Sequence, residues 1–77
     1  MNNLRDLLCY TWGITKILVI NKGDFNPLGV DCMSESALYK GDCYSCRDKA
    51  LLEREVKSFG VCEDYFVIEV KRRRTGA

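Results

Sequence analysis

Residues 14–21, ITKILVIN, constrain this chain more than any other segment. On an extended backbone Ile17 and Val19 point one way, and Leu18 and Ile20 the other. A β-branched strand that is apolar on both faces is usually covered on both sides, so a sheet must be built around it. A second strand is legible near the C-terminus. From Tyr65 to Arg72, Phe66, Ile68 and Val70 share one face, and Tyr65, Val67, Glu69 and Lys71 share the other. That alternation predicts a half-buried strand.

The remaining segments read as helices and turns. Asn2 or Asn3 can cap a helix over 3–12 that carries Leu4, Leu7 and Leu8 on one side and ends at Gly13. Asn21-Lys22-Gly23-Asp24 and Asn26-Pro27-Leu28-Gly29 are turn signals. A short strand is expected over 28–33, then a helical turn over 34–40 stopped by Gly41. Asp42 reads as the N-cap of a helix over 43–58 that Gly60 stops. A chain of 77 residues builds one core. The reading is therefore a single α+β domain over 1–70, with a sheet of about three strands and helices packed on one face. Residues 71–77 form a basic tail.

Charge divides along the same line. The formal net charge is +1. Four of the twelve positives form the run Lys71-Arg72-Arg73-Arg74, so eight positives against eleven negatives leave residues 1–70 at −3. A nucleic-acid domain usually spreads basic residues over a face. Here they sit at one end, and a solvated tail is the plainer reading. Nucleic acid remains the less favoured partner, through that tail. No apolar run reaches the roughly 20 residues of a membrane span, and the N-terminus lacks a secretory pattern. The six glycines are too scattered for a phosphate loop.

The absence of histidine removes His-based nucleophile activation and every Cys/His zinc pattern. Five cysteines cannot all pair within the chain, which points to reduced thiols in the cytoplasm. On the 43–58 helical wheel, Leu51, Leu52, Val56 and Phe59 cluster on the core side. Cys43 and Cys46 fall opposite, beside Arg47, Arg54 and Lys57. A helix N-terminus and neighbouring cations favour the thiolate, which binds metal and attacks disulfides. Zinc wants four tetrahedral ligands. The candidate set is Cys32, Cys43, Cys46 and Cys62, with Cys9 as a substitute for Cys32. The alternative is a set of thiols that only pack.

Two family resemblances bear on the same residues. Residues 38–71, with CYSC followed by RDKALLEREVKSFG and DYFVIEV, resemble the first active-site helix and following strand of glutaredoxins. The resemblance implies thiol–disulfide exchange, with Cys43 as attacking thiol and Cys46 as resolving thiol. It covers under half the chain and includes no counterpart of that family's cis-proline loop. Glu69-x-Lys71 in VIEVK resembles the metal-and-lysine strand of PD-(D/E)xK nucleases, which would draw on Asp48 or Asp64 as the upstream aspartate.

Tyr10, Trp12, Phe25, Tyr39, Tyr44 and Tyr65 are many aromatics for a small core, and tyrosine is common at protein interfaces. Tyr44, Tyr65 and Arg72, Arg73 and Arg74 are the candidate partner contacts. By elimination, the expected function is a small non-enzymatic protein-binding module, an adaptor or inhibitor of a larger protein, with zinc as its candidate staple. A glutaredoxin-like oxidoreductase is the alternative.

Overall fold

The structure, a computed structural model, describes residues 3–10 and 16–71. The elements run α1 (Leu4–Tyr10), β1 (Lys16–Asn21), α2 (Val30–Met33), a 3-10 turn (Ser34–Ser36), β2 (Tyr39–Asp42), a second 3-10 turn (Cys43–Ser45), α3 (Lys49–Leu52), β3 (Val56–Cys62) and β4 (Tyr65–Val70). The domain is α+β with a mixed four-stranded sheet in the order β2-β1-β4-β3. β1 and β4 are central and parallel, in register from Lys16 opposite Tyr65 to Asn21 opposite Val70. β2 and β3 are antiparallel edges. The sheet thus has four strands where about three were expected. Neither edge was expected as a strand: β2 begins where the 34–40 helical turn was expected to end, and β3 takes the last three residues of the expected 43–58 helix and runs on to Cys62.

The two-sided apolar pattern of β1 has a direct structural consequence. Ile17 and Val19 pack with Ile68, Val70, Leu4, Leu7, Leu8 and Leu51 on one face. Leu18 and Ile20 pack with Val67, Val30 and Met33 on the other. The expectation of helices on one face is corrected: α1 and α3 cover one side, and α2 covers the other. β4 is accordingly central and buried on both faces, where half-burial was expected. A strand with Val67 between Ile68 and Phe66 has no purely polar side.

Local signals explain the ends of the elements. Asn3 Oδ1 accepts from the Asp6 N–H at 3.0 Å, which caps α1. Leu4 N–H donates to the Arg54 carbonyl at 2.9 Å and so ties the helix start to the end of α3. After β1 the chain turns at Gly23, whose φ of 97° suits glycine. Asn26 Oδ1 accepts from Leu28 N–H at 2.9 Å, the side-chain turn expected there. The strand expected over 28–33 is instead the helical turn α2. Gly41 lies inside β2 and does not stop a helix.

Glu69 joins three parts of the fold. Its carboxylate accepts from Gly23 N–H at 3.0 Å and from Ser58 Oγ–H at 2.7 Å. Burial pushes this carboxyl up, but those two donors and nearby Lys22 outweigh it and hold the group below the usual carboxylate range. A depressed carboxyl stabilises the fold above its unfolded value, and that stabilisation is lost as pH falls through the folded value. Glu69→Gln should therefore lower the urea midpoint at neutral pH, with the gap to wild type closing as pH falls below 4.5, this carboxyl's ordinary value. A gap that persists undiminished at low pH would show that the charge of Glu69 is irrelevant.

Candidate functional site

The cysteine chemistry expected at 43–46 depends on a helix that does not form. Cys43–Ser45 is one 3-10 turn, with no cap from the Asp42 side chain. Cys46 and Asp48 are extended, and Asp48 caps a new helix of its own by accepting from Ala50 and Leu51 N–H. An aspartate that bonds nearby backbone N–H groups competes with helix continuation. The helix then ends at Leu52, because Val56–Cys62 is drawn into pairing with β4. Val56, Phe59 and Val61 are good strand residues on a sheet edge, and that nonlocal pairing overrides the helical spacing.

This corrects the wheel. Cys43 and Cys46 are 3% and 8% exposed and belong to the α1-side core. Arg54 donates to Asn21 Oδ1 at 3.0 Å, and Lys57 pairs with Glu55. Burial pushes the Cys46 thiol up, the reverse of the activation expected. The glutaredoxin-like arrangement, with a reactive thiol at a long helix's N-terminus, is therefore not present. Alkylation should label exposed Cys9 and Cys32 first, with Cys46 slower by at least about tenfold because it waits for opening. Site-resolved mass spectrometry checks this, and equal rates at Cys46 and Cys32 would contradict the burial. A raised thiol also fixes the alkaline sign. The unfolded chain loses this proton first, so stability falls as pH rises above about 9, the ordinary value.

The four-cysteine zinc set is not assembled. Cys43 and Cys46 lie under one face, Cys62 packs on the opposite face, and Cys32 is exposed on α2. Cys9 is exposed on α1 and does not complete a set either. Among the described residues no group of three or more Cys, Asp or Glu is placed to hold a metal. The nuclease-like grouping is likewise absent: Asp48 caps α3, and Glu69 is engaged by Gly23 and Ser58.

Of the expected partner contacts, Tyr65 is half-buried against the α2-side core, with Lys40 Nζ 5.5 Å from its ring centroid. The Tyr44 side chain and Arg72, Arg73 and Arg74 lie outside the described residues, as does Trp12. Lys71 is exposed, and its N–H donates to the Glu55 carbonyl at 2.8 Å.

The residues that do stand out lie just past the end of the expected 43–58 helix. β3 is a seven-residue edge strand, and its Phe59 and Val61 are 52% and 79% exposed on the α1 side of the sheet. Phe59 meets half-buried Phe66 edge-on, with ring centroids 5.5 Å apart. Along the same strand runs a shallow groove of about 250 Å³, whose lining includes Phe25, Ser58, Gly60, Val67 and Glu69. The usable signal was SFGVCEDYFVIEV, two strand-like runs flanking Glu63-Asp64. No protein-family model matches the chain, and neither does any of the curated proteins or solved structures compared with it.

Proposed function

We propose that the protein is a small non-enzymatic protein-binding module of the cytoplasm, an adaptor or inhibitor that engages an extended segment along the outer edge of β3. One observation carries this reading: an edge strand whose Phe59 and Val61 are exposed beside a groove. An added strand would gain main-chain hydrogen bonds from the edge, and its side chains would meet Phe59, Val61 and the groove that they help to line. The buried thiols support a binding role over a thiol-exchange one. Among the described residues no helix is long and apolar enough to cross a membrane.

Photo-crosslinking from single positions tests the reading. Leu28 is 81% exposed but lies in the loop before α2, so it serves as an equally apolar control for Val61. A crosslinker at Val61, in extracts of the protein's own cells, should give discrete adducts, and one at Leu28 should not. Adducts of equal yield from both positions, or none from Val61, would contradict the assignment.

A further inference from the structure

Edge strands are normally guarded against pairing by proline, charge or a bulge. Among the described residues β3 is guarded only at its start, where Lys57 sits at a bulge between Val56 and Ser58. From Ser58 to Cys62 the strand pairs with β4 in unbroken register and contains neither proline nor charge. We propose that, when no other strand occupies it, this edge is filled by Ser58–Cys62 of a second copy of the chain, antiparallel about Gly60. The proposal rests on β3 being the interaction edge and names its occupant.

Two observations favour a second copy. The unguarded stretch is centred on Gly60, and antiparallel pairing about that residue is isologous. It places Phe59 of each copy opposite Val61 of the other, so an aromatic–β-branched pair forms twice on the face where both are exposed. Ser58 meets Cys62 on the opposite face. Among the described residues nothing lies within 4 Å of where a Gly60 Cβ would stand, so the sheet face at Gly60 is open.

The second observation is charge. At the Val56 end, among the described residues, Glu55 is paired with Lys57 and Glu53 with Arg5, and Lys71 adds a further positive charge near Glu55. The sequence continues from it as Arg72-Arg73-Arg74. At the other end Glu63 and Asp64 make the hairpin turn, both exposed. An antiparallel second copy brings each basic end to the other copy's acidic end, within about one Debye length at 0.1 M salt. Parallel pairing would set like charges together.

Analytical ultracentrifugation of the full chain, from micromolar to submillimolar concentration at low and high salt, tests the proposal. The wild type should form a dimer that weakens as salt rises. Val61→Lys should be monomeric throughout with an unchanged far-UV spectrum, since Val61 makes little contact within its own fold. Lys71→Glu and Asp64→Lys should each weaken the dimer about tenfold or more, and the two together should restore it. The proposal is overturned by a wild type that stays monomeric at low salt, by Val61→Lys that dimerises like wild type, or by charge variants that do not compensate. A monomeric wild type that still crosslinks from Val61 to another polypeptide would reject the second copy and leave β3 as the interaction edge. Absence of both would reject the edge itself.

Discussion

Ile68→Ala should cost about 2–5 kcal/mol, the range for emptying a buried isoleucine site. Ile68 is fully buried at the centre of β4, opposite Val19 of β1 and Phe59 of β3. Its side chain belongs to the α1-side core with Leu4, Leu7 and Leu8. Neither neighbouring strand can move in to fill the hole without breaking register. At about 0.05–0.15 kcal/mol per residue, a chain of this size has little stability to lose. The variant should therefore be partly unfolded at ambient temperature. Val61→Ala, on the neighbouring strand but exposed, should change stability by no more than about 0.5 kcal/mol. Urea titration of the pair decides the point, and equal midpoints would mean that the sheet centre is misplaced.

The second large effect is at Gly29. This residue leads into α2 with φ 128° and ψ 176°, a conformation that essentially only glycine adopts. A Cβ built there would lie 2.8 Å from a Glu63 carboxylate oxygen. That same carboxylate accepts from Val30 N–H at 3.2 Å, so α2 is held to the β3–β4 turn across the face it covers. Gly29→Ala should cost about 1–3 kcal/mol from backbone strain alone, with a further loss if Glu63 is displaced. Glu63→Ala removes the collision but not the strain. In the double variant most of the Gly29→Ala penalty should remain. Full rescue by Glu63→Ala would show that the contact, and not the backbone, sets the requirement for glycine.

What the sequence disclosed was local. Asn3 could cap only what followed it, Asn26 could only make its own turn, and the alternation at Phe66, Ile68 and Val70 had one reading. β1 even disclosed that both of its faces must be covered, since Leu18 and Ile20 are as apolar as Ile17 and Val19. The stretch from Cys43 to Cys62 was opaque because its helical spacing was genuine: Leu51, Leu52, Val56 and Phe59 fall on one side of a wheel. What broke that helix was the Asp48 side chain bonding two nearby N–H groups, together with the pairing of Val56–Cys62 against β4. The first was written in the sequence as a good capping residue in mid-helix. The second is a tertiary contact that no local pattern encodes. The error then propagated. With the helix wrong, two core cysteines looked like exposed thiols, and Phe59, an exposed residue of an edge strand, looked like core.

Backbone amide exchange along β3 bears most directly on the claim that its outer edge is where this protein meets another polypeptide. Strand addition protects alternate amides of the edge strand and little else. The rates of residues 58–62 should be compared between dilute protein and protein saturated with its binding strand, whether that is a second copy at high concentration or the polypeptide crosslinked from Val61. Slowing should be confined to alternate amides within 58–62, with Leu28 and the α2 loop unchanged. Unchanged exchange in β3, or protection that appears around α1 or α2 instead, would contradict the claim.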